Sequence, residues 1–299
     1  MISVIQRKNW WFTLSFVMVF ASIVGLLLWG LRPGIDFTGG SLVEINFENS
    51  RPDNQEISQA ISQLQVGEVI VQLTDENGAI LRLASITEEQ HQQIIETIRA
   101  AFPGNTVSEL RFDSIGPVIG QELKRKTVWA IGIVLVLMVL YIAWAFRKVS
   151  KPVAAWKYGL IAVVALFHNI LITMGVFTVL GRLYGVEVNA SFVAALLTIL
   201  GYSVNDTIVI FDRIRENLLR RVGEDFGKII DISINEVLTR SISTGCSTLL
   251  ALFALLLLGG STINNFVLAL IIGISVGTYS SIFLASPMLL VFEKFTNRR

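Results

Sequence analysis

"LLTILGYSVNDTIVIFDR" (residues 196–213) is long and apolar enough to cross a bilayer, yet Asn205 and Asp206 interrupt it. Crossing hydrocarbon takes about 20 mainly apolar residues. A charge at mid-membrane costs from about 2.5–3.5 kcal/mol on insertion scales to above about 10 kcal/mol in simulations. An aspartate is therefore expected in such a run only where protein, not lipid, surrounds it. At 100° per residue, Thr198, Gly201, Tyr202 and Asn205 share one narrow face, with Asp206 at its edge. That face is expected to point into a helical bundle. The next apolar run opens with Arg240, and Arg240, Thr244, Ser247 and Thr248 form a polar stripe at i, i+4, i+7 and i+8. His168, Asn169 and Thr173 add polar groups to an earlier run.

Composition agrees with a membrane protein. The 299 residues are 53% hydrophobic and 16% charged, against about 25% charged in soluble proteins. Six stretches reach spanning length, near residues 10–31, 127–146, 159–180, 190–211, 239–258 and 264–291. The last is long enough to tilt, or to end early at Pro287. The first follows Arg7 and Lys8; its apolar part is longer than a signal h-region and no small-x-small site follows, which predicts an uncleaved anchor. Trp10, Trp11, Trp29, Trp129 and Trp144 fall near span ends, where amphipathic rings prefer to sit.

Net charge is +1, so no basic field points to nucleic acid. The single cysteine, Cys246, cannot form an intramolecular disulfide, and no Cys/His cluster suggests a metal. No glycine-rich phosphate loop appears, so an ATPase built on one is not expected.

Lys and Arg set the expected orientation. The N-terminus carries two, residues 147–158 four, residues 212–238 five and the C-terminal tail three, while the opposite short loops carry only Arg182. Both termini are therefore expected in the cytoplasm and residues 32–126 outside. The chain divides into residues 1–31 (N-terminus and first span), residues 32–126 (external domain) and residues 127–299 (five-helix bundle with cytoplasmic loops and tail). Asp206 then lies about 7 Å inside the cytoplasmic end of its span at 1.5 Å per residue. Arg240 lies near the cytoplasmic start of the next, so the two can approach. The pair reads either as part of an ion route or as a structural ion pair with Arg240 snorkelling to the interface.

The external domain parses as β-α-β-β-α-β. Strands are expected at 41–48, 68–74, 79–85 and 106–112. Asp53 with Glu56, and Thr87 with Gln90, have capping-box spacing before two helices. The pattern predicts a ferredoxin-like sheet, with a looser α+β domain as the alternative. The fold class is thus six transmembrane helices plus one α+β ferredoxin-like extracytoplasmic domain. Gly273, Gly277 and Ser281 form a small-xxx-small seam suited to helix packing. Asn189-Ala-Ser191 fits a glycosylation pattern common by chance. His91 is expected to be solvated, and so is the cluster of Asp212, Arg213, Arg215 and Glu216.

Five motifs fall in order: "GIDFTGG" (34–40), "IGPVIGQEL" (115–123), "GYSVNDTIVIFDRIREN" (201–217), "TRSISTG" (239–245) and "GISVGTYSSIFLAS" (273–286). Over nearly its whole length the chain resembles the SecF family, the smaller membrane subunits of bacterial SecDF protein-export complexes and kin of resistance-nodulation-division transporters. The resemblance implies a non-enzymatic, proton-driven accessory in the bacterial cytoplasmic (inner) membrane. Its implied partners are SecD, the SecYEG translocon and unfolded preproteins, with YajC and YidC as further candidates. No organic cofactor or metal is implied. The coupling ion is the proton, with sodium left open. By motif, Asp206 would be the proton-exchanging acid and Arg240 its charged partner, with Asn205, Tyr202, His168, Asn169 and Thr244 along the route. Gly34, Asp36, Phe37, Gly39 and Gly40 would join the first span to the external domain. Many members have His-Asp where this chain has His168-Asn169, and an amide cannot carry a proton as a carboxylic acid does. Two other functions stay open: a self-sufficient exporter of the wider superfamily, and a passive scaffold.

The orientation has a direct check. With Cys246 replaced by serine, a cysteine placed at Gln65 should react with an impermeant thiol reagent from outside. Labelling only after the cells are opened overturns the topology.

Overall fold

A computed structural model describes residues 2–64, 66–67, 69–74, 77–145 and 154–296. The basic residues of the 147–153 segment, and Gln65, lie outside that set. In chain order the elements are α1 (Lys8–Leu28), the single turn α2 (Ile35–Thr38), β1 (Gly40–Phe47), α3 (Asn54–Ile61), β2 (Ile70–Thr74), β3 (Gly78–Leu83), α4 (Glu88–Ala101), β4 (Val107–Ile115), α5 (Pro117–Ala145), α6 (Ala155–Tyr184), α7 (Ala190–Arg220), α8 (Phe226–Leu258), α9 (Ser261–Ser280), a π-helical segment (Ser281–Ala285) and α10 (Ser286–Thr296). They form two compact units, Met1–Arg32 with Val128–Arg299, and Pro33–Thr127.

Among the described residues six helices are long and apolar enough to cross a membrane: α1, α5, α6, α7, α8 and the α9–α10 run. Two expectations change. Residues 212–238, expected as a loop, are mostly helix: α7 runs to Arg220 and α8 starts at Phe226. Asp225 caps α8 by accepting from the Lys228 amide at 3.1 Å. The 31 residues of α7 span about 46 Å, well beyond the roughly 30 Å hydrocarbon core. Arg240 therefore lies well inside a long helix rather than at its start. Nor does Pro287 end the sixth helix. Proline lacks an N–H, and its ring would strike the carbonyl four residues back. The π-helical turn before it widens the ladder, and Ser286 Oγ donates to Ser281 O at 2.9 Å. The glycosylation-like Asn189 caps α7 instead, accepting from the Phe192 amide at 3.0 Å and from Ser191 Oγ at 2.8 Å.

The smaller unit is a four-stranded antiparallel sheet in the order β2-β3-β1-β4, with α3 and α4 supplying the rest of the split-βαβ pattern. Both capping boxes form, at Asp53/Glu56 and Thr87/Gln90. Val43, Ile45, Phe47, Ile57, Leu81, Ile94 and Ile98 fill the core. The register of β4 on β1 slips between Glu44 and Ile45, so Leu110 is an extra residue and 60% exposed. This bulge lets Glu109 and Phe112, three residues apart, both reach α4. There they meet His91, which is only 3% exposed, contrary to the expectation of a solvated side chain. Its ring stacks on Phe112 at 3.8 Å, with Nδ1 3.2 Å from Glu88 and Nε2 3.1 Å from Glu109. The reason is periodic: His91, Ile94, Ile95 and Ile98 share the buried face of α4. Hydrogen bonds from Gln92 and His91 hold the Glu88 carboxyl below the usual carboxylate range.

The glycines of "GIDFTGG" have steric reasons. Gly39 and Gly40 adopt φ of 73° and 126°, where L residues are strained. A Cβ on Gly39 would lie 2.7 Å from Pro117 Cα, and one on Gly40 2.7 Å from the Leu83 carbonyl oxygen. A Cβ on Gly120 would lie 2.9 Å from the Gly39 amide nitrogen. The double-glycine turn and the start of α5 thus interlock. Gly34 is buried before α2, which carries Asp36 and Phe37 half-buried.

Gly40→Ala should therefore lower the stability of this unit by at least about 2 kcal/mol, combining backbone strain with overpacking. Gly104→Ala, with open space around it, should change stability by less than about 0.5 kcal/mol. Limited proteolysis of the full chain in mild detergent, across a denaturant series, reads both.

Candidate functional site

The bundle is closed by small residues. On α9, a Cβ added to Gly273 would strike the Ile199 side chain, and one on Gly277 would lie 3.3 Å from Ser203 Cβ. Ser281 Oγ and Thr207 Oγ1 are 2.9 Å apart. The row Gly273, Gly277, Ser281 therefore lies along Ile199, Ser203 and Thr207, letting the backbones of α9 and α7 approach closely. On the neighbouring pair, Gly175 of α6 sits directly against Ser22 of α1.

Close approach brings polar groups together. Asn169 is buried on α6; its Nδ2 donates to Ser203 Oγ at 2.7 Å, and its Oδ1 lies 3.0 Å from His168 Nδ1. Thr173 Oγ1 donates to the Asn169 carbonyl at 2.8 Å. His168, Asn169 and Ser203 thus form a buried bridge from α6 to α7.

Asp206 lies on another side of α7, facing α8. Ser241, whose hydroxyl is near the carboxylate but not in hydrogen-bonding geometry, and Arg240, through its charge, are the α8 groups that act on it. No Asp206–Arg240 ion pair closes within 4.0 Å, and among the described residues Asp206 Oδ2 is buried without a hydrogen-bond partner. The same holds for Ser241 Oγ and Thr278 Oγ1. One turn beyond Ser241, Gly245 packs on Thr278, whose Oγ1 is 3.1 Å from where a Cβ would stand. A seam between α7, α8 and α9 thus carries one carboxylate oxygen and two hydroxyls with unused hydrogen-bonding capacity. That is unusual, since buried polar atoms are nearly always paired.

The expected polar stripe has a different fate. Thr198, Gly201 and Asn205 on α7 are exposed and Tyr202 is half-buried; Arg240, Thr244 and Ser247 on α8 are exposed and Thr248 is half-buried. Among the described residues nothing covers most of the face expected to point into the bundle. Lipid is a costly neighbour for it. The sequence-derived residues therefore fall into three groups: the His168–Asn169 bridge, Asp206 beside Ser241 and Arg240, and the open stripe.

Several residues were missed from sequence. Glu236 accepts from Arg213 Nε and from Asn217 Nδ2, each at 2.7 Å, and Asn217 Nδ2 also donates to Ser233 Oγ at 2.9 Å. Arg213 also pairs with Glu216, which holds Arg220 at 2.6 Å. The cluster expected to be merely solvated ties α7 to α8 below the site. Asp231 accepts from the Val4 and Ile5 amides at 2.9 and 3.0 Å and from Ser3 Oγ at 2.9 Å, while Asn235 makes two 2.8 Å bonds to the Ile2 backbone. The i, i+4 spacing of Ser203 and Thr207 and the i, i+3 and i, i+4 pairs of Glu216 with Arg213 and Arg220 left a local signal; the contacts that join α7 to α8, and α8 to the residues before α1, are long-range. Among the described residues no group of three His, Cys, Asp or Glu side chains could hold a metal.

This geometry agrees with the comparisons to known proteins. The family model for "Protein export membrane protein SecD/SecF, C-terminal" matches residues 94–295, and that for the "SecD/SecF GG Motif" matches residues 30–50. The chain belongs to the SecD/SecF family. It is 42% identical to a protein translocase subunit SecF of Thermobaculum terrenum, over 98% of this chain and 94% of that protein. A SecF subunit of Anaerolinea thermophila is 35% identical over the same shares. Among solved structures, SecDF from Thermus thermophilus, described as a translocon-associated membrane protein, matches with a TM-score of 0.84 and 30% identity. That match covers 99% of this chain and 39% of the SecDF chain. These relatives make the chain a multi-pass SecF-type translocase subunit, a transport component rather than an enzyme.

The glycine seam yields a test. Gly273→Val should cost about 1–3 kcal/mol by overpacking against Ile199, read as a lower melting temperature in detergent. Ile199→Ala added to it should restore part of the loss, because it vacates the space the valine enters. Failure of rescue places the strain elsewhere.

Proposed function

We propose that the chain is the SecF-type half of a proton-driven export accessory, working with a SecD-type partner to help preproteins leave a SecYEG-type channel. The observation that carries this reading is Asp206 Oδ2, buried without a hydrogen-bond partner next to Ser241, in a seam where the Ser241 and Thr278 hydroxyls also lack one. A carboxylate fixed for structure alone would have its lone pairs filled. One with an open oxygen and a cation on the next helix is equipped to take and release a proton. Moving one charge through 100 mV is worth about 2.3 kcal/mol, enough to bias a helix pair between two arrangements.

The partner is supported by the open stripe on α7 and α8, which needs cover that lipid cannot give. The SecDF match, covering 39% of the longer chain, supports the same view. Asn169 sits where the family resemblance implies an aspartate in many members. Here it works as a bridge to Ser203, so the reading places no titrating group on α6 at that position. Sodium in place of the proton, and YajC and YidC as further partners, are compatible with it. The SecF relatives support the bacterial cytoplasmic membrane, and the Lys/Arg pattern supports both termini inside and the sheet domain outside.

Asp206→Asn keeps size and removes the titrating group. The variant should insert and copurify with its partner at normal abundance. It should lose export of a slow-folding preprotein driven by the gradient after ATP is exhausted. Arg240→Lys, retaining charge but not the planar fork, should be impaired less. Wild-type export by Asp206→Asn sinks the coupling role and leaves the passive scaffold.

A further inference from the structure

We propose that the crevice between α1, α6 and α10 holds one acyl chain of an anionic phospholipid, with Lys8 at its phosphate. The crevice is open on one side, has a volume of about 510 Å³ and is walled by apolar side chains, Phe12, Phe16 and Val19 of α1, Phe167 of α6 and Met288 of α10 among them. His168 also lines it.

Length selects the occupant. On α1 the lining runs from Phe12 to Ile23, about 16 Å at 1.5 Å per residue. That is half of the roughly 30 Å hydrocarbon core, the depth of one leaflet. A partner helix crossing the membrane would need a groove of full thickness. A lipid chain entering from one side needs only this much.

Charge selects the headgroup. Lys8, Phe12, Phe16, Val19 and Ile23 follow one another at helical spacing, so Lys8 stands one turn above the crevice on the same stripe. Arg7 adjoins it and is exposed. Among the described residues neither basic side chain is held in an ion pair. Trp10, also exposed, is at the headgroup level that indole rings favour. A phosphate at this height meets one or two cations, and its acyl chain meets the crevice below. The leaflet is the cytoplasmic one under the proposed topology; the site itself does not depend on that topology.

The full chain with its copurified partner is reconstituted in vesicles of equal phosphatidylglycerol and phosphatidylcholine, then analysed by native mass spectrometry. Wild type should retain one phosphatidylglycerol, preferred over phosphatidylcholine by about fivefold, the effect of one lysine near an anionic surface. Lys8→Gln should lose most of that preference while still retaining a lipid. Val19→Trp, which fills the crevice, should retain none. Because Val19→Trp could disturb folding, a photo-crosslinking residue at Phe16, which is 68% exposed, gives a second reading in native membranes. It should yield an adduct of lipid mass. No headgroup preference in wild type, a lipid retained by Val19→Trp, or a crosslink from Phe16 to a polypeptide overturns the proposal. None of these readouts uses Asp206, so failure here is distinguishable from failure of the coupling role.

Discussion

Hydrocarbon offers no hydrogen bonds, so a polar side chain inside the membrane must find its partner in protein. In this chain that requirement is met by bringing helix backbones close. Gly273 and Gly277 let α9 sit on Ile199 and Ser203. The hydroxyls and amide that satisfy one another, Thr207 with Ser281 and Asn169 with Ser203, lie on the same faces. Larger residues at the two glycines would push the helices apart. They would leave Asn169, buried on α6, and Thr207, buried on α7, without their bonds.

Against this closed side, the face of α7 toward α8 is under-satisfied. Asp206, Ser241 and Thr278 each keep a buried oxygen with spare capacity, while Asn205, Arg240 and Thr244 are left open. The contrast divides one helix into a fixed side and an unfinished side. The fixed side gives the site a rigid frame. The unfinished side is where a second membrane subunit could complete the environment of the carboxylate.

The long helical hairpin connects this site to the rest of the helical unit. Glu236, one turn before Arg240, is held by Arg213 and Asn217 of α7. Asp231, a further turn back, holds the chain just ahead of α1 through Val4 and Ile5. A rotation or slide of α8 would be felt at both places, since each is anchored by side chains of that helix. In the sheet unit the double glycine and the start of α5 are equally tight, which leaves little room for slack within that joint.

What the sequence determined by itself follows from local physics. Spanning length and the run of apolar residues marked six membrane helices. Capping boxes at Asp53 and Thr87 and the alternation of short strands marked the sheet domain. The cost of a charge in hydrocarbon singled out Asp206 and Arg240. What only the tertiary structure decided was long-range. His91 is buried because a bulge at Leu110 turns Glu109 and Phe112 toward it from a strand distant in sequence. The charged stretch from Asp212 to Glu236 is helical on both sides of a short turn, and Glu236 of α8 is held by Arg213 and Asn217 of α7; that long-range contact is what local composition could not separate from a solvated loop. The polar stripe of α7 was legible as a stripe. Whether it faced the chain's own bundle or open space depended on which side of α7 the glycines of α9 occupy. That is a matter of packing between distant segments, on which helical periodicity is silent.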